Sequence, residues 1–385
     1  MAATAADLPD RWLFLPIKEG NVRAGTLFGL YHATEAAAPL NAPTTFDAWL
    51  AAAGGDPSGF WAISLLSGVT FPGTFVWGEF AASGVIDAEA VDAYYATGGD
   101  PGSILGNAAN DLLWAGGRLT TVWPASPDYV DYREVRPTEV ETLLVGGTVD
   151  FSTPPQLATD ELLPALPNGQ QVILAELGHT VDFWSYQPEA STRLLSAYFD
   201  RGEVDDSRYQ TRPAGFEVGF LSLSTIAWIL LGTLAGLALL AIVLLGGMAV
   251  RVRRRGRLGS RASAWLRCLA PVVAGIGGWS LAVLVGSSLW PGLFLGDRWL
   301  AVVAIGIAAG LASFGAWVHK DWTRRRRLAG LAAAVAGSLL GAWLGFHAIE
   351  DLAALVTTIA GATITANLAL LLIDMRRDRS AAVVR

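Results

Sequence analysis

Cysteine is almost absent: the 385 residues include one, Cys268, and it lies inside an apolar run. A single chain therefore forms no disulfide and no cysteine-based metal site, and Cys268 is expected to be a small packing residue. The N-terminus, Met1-Ala2-Ala3-Thr4-Ala5-Ala6-Asp7, has neither the basic start nor the apolar stretch of a secretory signal. Basic residues are scarce in one part of the chain and acidic ones in the other. Residues 1–218 hold 28 of the 34 acids and 10 of the 27 bases, a net of −18; residues 219–385 hold 6 acids and 17 bases, a net of +11. The overall −7 describes neither part. In the second part the bases cluster between long apolar runs, which indicates a lipid bilayer as partner and not nucleic acid. No cofactor and no bound metal is expected.

A membrane-crossing helix needs about 20 mainly apolar residues. Five segments qualify, near 222–249, 266–289, 299–318, 328–347 and 352–374. The first four carry no Asp, Glu, Lys or Arg near the centre, where each would cost roughly 2.5–3.5 kcal/mol; the fifth has only Asp374, at its end. Lys and Arg near helix ends are retained on the cytoplasmic side. They follow the first span (Arg251 to Arg267), the third (Lys320, Arg324 to Arg327) and the fifth (Arg376, Arg377, Arg379), while the two other loops carry Arg298 and no base. This alternation predicts a multi-pass protein of the cell membrane with residues 1–218 extracytoplasmic and the C-terminus cytoplasmic. Trp265, Trp290, Trp299, Trp317 and Trp322 lie near predicted helix ends and are expected to anchor there. Gly232/Gly236, Gly306/Gly310 and Gly337/Gly341/Gly345 have the spacing that lets helices approach closely. His319, His347 and Asn367 are the polar candidates for a transport pathway, and each is better read as interfacial or as helix packing.

The chemistry is concentrated between residues 140 and 200. Val140 to Gly147 is a short apolar run stopped by glycines, as expected of a buried strand, and Thr148-Val149-Asp150 follows at once. Pro154-Pro155 can start a helix to about Leu166, with Leu157, Leu162, Leu163 and Leu166 near helical spacing. Pro167-Asn168-Gly169 makes a turn, and a second strand follows at Gln171 to Ala175. Gly178-His179-Thr180 comes next, then a helix over about 187–200. Open α/β sheets carry their chemistry in loops at the carboxyl ends of strands, where both Asp150 and His179 fall. A histidine can relay a proton near neutral pH, and a carboxylate on its other nitrogen would fix its tautomer.

The runs Leu-Leu-Val-Gly-Gly-Thr-Val-Asp-Phe-Ser-Thr-Pro-Pro (143–155), Leu-Pro-Asn-Gly-Gln-Gln-Val (166–172) and Leu-Gly-His-Thr (177–180) closely resemble the C-terminal part of α/β-hydrolases of the tripeptidyl-aminopeptidase-like group. The resemblance implies an α/β fold class, here a partial α/β-hydrolase: a lid or cap over 1–136, a core segment over 137–218, and the five-helix transmembrane bundle over 219–385. It implies that Asp150 and His179 are the Asp and His of a Ser-Asp-His triad acting on a peptide or ester substrate. The aromatic and Gly/Pro-rich stretch over 8–130 suits such a lid, with its aromatics as lid core.

The nucleophile that this order requires before residue 150 is missing, since no G-x-S-x-G elbow occurs in the chain. Gly102-Ser103-Ile104-Leu105-Gly106 has its serine in the wrong place and no apolar strand before it. No H-G-G-G-type oxyanion segment is present either. The expectation is therefore a domain whose elbow and central strands come from an upstream segment, with Met1 an internal start, or from a partner chain. Two other readings stand beside a membrane-anchored serine hydrolase. One is a non-catalytic membrane protein using a degenerate hydrolase domain for binding; the other, the weakest, is a small transporter.

Overall fold

In a computed structural model the chain divides into two compact units, one comprising Met1–Leu13, Ile17–Ser67 and Phe75–Trp228, the other Phe14–Pro16, Gly68–Thr74 and Ile229–Arg385. The structure describes residues 2–32, 40–123, 126–213, 215, 217–218, 221–254, 260–290, 298–319, 322–349 and 353–382.

After a short helix over Ala2–Ala6 the first unit carries three helices, α1 (Glu19–Tyr31), α2 (Ala42–Ala53) and α3 (Ser58–Thr74), the last counted with the second unit from Gly68 on. Helix α2 starts where Asn41 caps it: the Asn41 Oδ1 accepts from the Thr44 N–H at 3.0 Å, and the Thr44 hydroxyl accepts from the Asn41 N–H at 3.1 Å. Trp49, Phe60, Trp61 and Val22 are buried among these helices, and the Trp49 indole donates to Thr26 Oγ1 at 2.9 Å. Aromatic residues thus build a core here, as the sequence predicts. Short helices over Trp77–Gly84, Ala88–Ala96, Ala108–Leu113, Leu119–Val122 and Tyr129–Arg133 continue the chain.

Strands β1 (Thr142–Gly147) and β2 (Gly169–Leu174) then pair in parallel, with Thr142 opposite Gly169 and Gly147 opposite Leu174. Their connection is helical from Pro155 to Ala165 but irregular, with a widened turn over Ala158–Leu162 and a tight one over Leu163–Ala165. Leu166 is buried, whereas Leu157 faces out. After β2 come α4 (Val181–Tyr186), absent from the sequence reading, and α5 (Pro188–Arg201). Helix α5 buries Ala190, Leu194, Ala197 and Tyr198, one stripe at helical spacing. Val172, Leu174, Leu177, Phe183, Ala190 and Leu194 form the core between the strands and these helices, with Leu143 and Val145 packed against it. The opposite sheet face meets the connection through Gln171, whose amide donates to Pro155 O at 3.0 Å. Ile173 on that face remains 45% exposed.

The second unit carries α6 (Leu223–Arg254), α7 (Ser260–Leu289), α8 (Arg298–Trp317), α9 (Arg324–Phe346) and α10 (Ala353–Ala382). All five are long and apolar enough to cross a membrane, in agreement with the five predicted spans. Helix α9 starts earlier than expected, because the Thr323 hydroxyl accepts from the Arg326 N–H at 3.3 Å and so draws Arg324 to Arg327 into the first turn. Of the glycine pairs, Gly341 and Gly345 carry the closest approach: a Cβ on Gly341 would lie 2.2 Å from the Gly361 carbonyl of α10, and one on Gly345 2.1 Å from that of Thr357. Gly306 and Gly310 pack on Leu339 and Val335 of α9, whereas Gly232 and Gly236 touch nothing within 4 Å. Trp265, Trp290 and Trp299 face outwards, as anchors should. Trp317 and Trp322 instead pack inside with Val318, Ala334 and Leu370, because the chain turns back into α9 directly after them. Asn367 ties three helices, accepting from the Trp317 indole at 2.7 Å and donating to Arg267 O at 3.0 Å and Thr363 O at 2.8 Å. Cys268 is exposed on the bundle, not packed within it.

Candidate active site

The ends of the two parallel strands are joined by an unusually close backbone approach. Beyond the ladder the Thr148 N–H donates to Leu174 O and the Val149 N–H to Leu177 O, each at 3.0 Å. This requires Gly147, since a Cβ there would stand 2.1 Å from Leu177 O and 2.4 Å from Gly178 O, both backbone atoms. Glu176, which adopts a left-handed φ of 61°, turns the chain after β2, and its N–H donates to Thr148 Oγ1 at 2.8 Å. The loop carrying Asp150 is thereby fastened to the loop carrying His179.

The two side chains meet. His179 Nδ1 lies 2.8 Å from Asp150 Oδ2. Asp150 is buried while His179 is about one-third exposed, its side chain at 32%. The carboxylate collects further donors from the residues that follow it. Ser152 N–H, Ser152 Oγ and Thr153 N–H reach Oδ1 at 3.0, 2.7 and 3.1 Å, and Thr153 Oγ1 reaches Oδ2 at 2.8 Å. Burial alone would raise the Asp150 carboxyl, but the hydrogen bonds from Ser152, Thr153 and His179 outweigh it and hold it down at about 2. It is therefore ionised, accepts only, and requires the hydrogen to sit on Nδ1 of His179. In the neutral ring Nε2 then carries the lone pair, the form a proton acceptor needs.

Tyr31, at the end of α1, completes the surroundings. Its carbonyl accepts from the His179 N–H at 3.1 Å and its ring lies over the imidazole, centroids 4.8 Å apart and planes 30° apart. Burial pushes the Tyr31 phenol up, a hydrogen bond with Ser152 opposes this, and the Asp150 charge adds to the rise, so the phenol stays neutral. Phe151 stands 5.8 Å from Tyr31, and Phe28 links Tyr31 to Phe75 at 5.5 and 5.7 Å. The imidazole thus borders a partly exposed aromatic wall. Next to it lies a second pair, His32 Nδ1 to Asp182 Oδ1 at 2.7 Å, and the Asp182 N–H donates to His179 O at 3.0 Å.

Both predicted residues, Asp150 and His179, are brought together. Tyr31, His32, Ser152, Thr153 and Asp182 escaped the sequence reading. Ser152 and Thr153 had a signal, because an Asp commonly accepts from the N–H groups two and three residues on; Tyr31 and His32 had none. Among the described residues the hydroxyls beside His179, those of Ser152 and Thr153, lie at Nδ1, 3.3 and 3.4 Å away, and not at the proton-accepting edge. Ser103 is occupied structurally: its Oγ accepts from the Gly106 N–H at 3.0 Å and its carbonyl from Arg23 Nη1 at 2.7 Å.

Residues 110–210 match the family model described as TAP-like protein, an α/β-hydrolase family, and the matched segment contains both Asp150 and His179. A hydrolase-family segment joined to five membrane-capable helices is what this similarity and the second unit together amount to. No curated protein and no solved structure matches the chain.

Proposed function

We propose that this chain is part of a membrane-anchored, extracytoplasmic serine hydrolase of peptidase or esterase type, in which Asp150 orients His179 and His179 serves as the general base. The observation that carries this reading is the contact between the ionised, buried Asp150 and Nδ1 of His179 at 2.8 Å, beyond the carboxyl ends of two parallel strands. Such a pair fixes the tautomer, takes a proton on Nε2 from an attacking hydroxyl, and stabilises the imidazolium that forms. The hydroxyl comes from outside residues 1–385, on an upstream segment or a partner chain. Two features support this. Among the described residues β1 pairs with β2 alone, and an isolated two-stranded sheet is marginal at best. Leu143, Leu144 and Val145 are moreover only half-buried, as strands are when a neighbour is missing. In this reading residues 1–136 are the lid, residues 137–218 the last strands and helices of the core, and residues 219–385 the anchor. The arginine clusters keep their loops in the cytoplasm and leave the Asp–His pair outside.

A non-catalytic binding role is the second reading, and the position of the two hydroxyls at Nδ1 favours it. Labelling with a serine-reactive fluorophosphonate separates the two. The chain alone should not label, whereas the chain extended upstream, or co-purified with its partner, should label and lose the label's time-dependent build-up in H179A. An extended form or complex that stays unlabelled refutes the hydrolase reading.

A further inference from the structure

The end of α8 and the start of α9 gather arginines from three helices. Arg251 of α6 donates through Nη2 to Gly315 O at 2.8 Å. The Arg267 guanidinium of α7 lies 3.6 Å from the centre of the Trp317 ring, and that of Arg326 of α9 lies 4.6 Å from that of Trp322. Among the described residues one carboxylate answers them: Asp374, 2.7 Å from Arg326. Arg251 is thus held by a carbonyl and Arg267 by an aromatic face, and the single charge of Asp374 is shared between Arg326 and Arg267.

Their position makes this costly. Both lie within apolar spans, Arg251 in Leu223–Arg253 and Arg267 in Ser263–Gly286. Arg251 is two residues from its span's end and Arg267 four from its span's start, which at about 1.5 Å per residue puts them about 3–6 Å from those helix ends, where a headgroup layer would lie. The Nε atom of each is buried without a hydrogen-bond partner, so charge can be balanced only through the outer Nη edges of these half-buried side chains. The start of α9 adds to the imbalance. Arg324 to Arg327 occupy its first turn, where the helix dipole is itself positive and cations are disfavoured.

We propose that this end of the bundle binds an anionic phospholipid, with Arg251 and Arg267 as ligands of its phosphate. A guanidinium matches the phosphate fork, and the phosphodiester layer is the anion available at this depth. A zwitterionic lipid brings its own cation and leaves the excess positive charge uncompensated, so the site selects lipids with a net negative headgroup.

The test uses the full chain purified in mild detergent, exposed to mixed micelles of phosphatidylglycerol and phosphatidylcholine, with retained lipid read by native mass spectrometry. Phosphatidylglycerol should be retained preferentially. R251Q and R267Q should each lower its retention about fivefold, and the double variant about 25-fold, as expected for one surface cation each. R251K and R267K keep the charge and the fold and should retain most of the preference, which guards against a Gln variant that merely unfolds. Equal retention of both lipids by the wild type, or an unchanged preference in the double variant, overturns the proposal. Displacement of the lipid by millimolar inorganic phosphate overturns the lipid as its ligand and makes the site one for free phosphate.

Discussion

Replacing Gly147 by alanine is the sharpest perturbation of the strand ends. The added Cβ would lie 2.1 Å from Leu177 O and 2.4 Å from Gly178 O, and neither backbone atom belongs to a flexible side chain that could swing away. Restoring an ordinary carbon–oxygen contact of about 3.3 Å requires Leu177 to retreat by about 1.2 Å from its present 2.1 Å. That movement breaks the 3.0 Å bond from the Val149 N–H. Carried on to His179, it stretches the 2.8 Å contact with Asp150 to about 4 Å, beyond hydrogen-bond range. Overpacking of this kind costs about 1–3 kcal/mol, and a backbone clash belongs near the upper end. Gly146 is the control on the same strand, since its added Cβ meets Pro155 Cβ at 3.0 Å and no backbone atom nearer than Pro155 Cα at 3.7 Å, and should cost about 1 kcal/mol, the lower end of that range. Thermal unfolding of the full chain in detergent measures the difference in stability. Nitrogen NMR of the imidazoles, of which the chain has four, measures whether Nδ1 of His179 remains protonated in a hydrogen bond. A Gly147→Ala protein as stable as the wild type, with the His179 signals unmoved, would refute the account of how the two loops are held together.

Three further outcomes are expected. The Asp150 carboxyl, ordinarily at 3.8, is held at about 2, so its contribution to stability is complete above pH 3.8 and is lost as the pH falls through about 2. Holding the carboxyl there corresponds to about 2 kcal/mol, and the gap between wild type and D150N in acid denaturation should close by that amount over this window. Removing the His32 ring strips Asp182, almost wholly buried, of one partner. His32→Ala should therefore destabilise by about 1–3 kcal/mol and loosen the His179 loop, read as faster amide exchange at His179 and Asp182; unchanged exchange would contradict the coupling. In the bundle, Gly341→Leu should block the approach of α9 to α10 and sharply lower thermal stability in detergent, while Gly232→Leu, with nothing within 4 Å, should leave it unchanged. Equal effects of the two would show that the glycine contacts do not hold the helices together.

Much of this protein was decided locally and could be read from the chain. The strands around Val145 and Val172, the turn at Pro167-Asn168-Gly169 and the five apolar spans follow from periodicity, turn chemistry and length, all properties of neighbouring residues. The Asp–His pairing was foreseeable because both residues follow strands of one sheet, and parallel pairing sets their loops side by side. What the sequence could not determine depends on surfaces meeting across long stretches of chain. His32 and Asp182 are 150 positions apart, and only the docking of α1 brings Tyr31 over His179. Trp317 and Trp322 carry the same local signal as the outward-facing Trp290 and Trp299, yet pack inside. Gly232 and Gly341 share one spacing, yet only Gly341 meets a partner helix. In each case the residue type permits either outcome, and the choice is made by which face of a helix its neighbours cover, a property of packing that no single stretch of sequence contains.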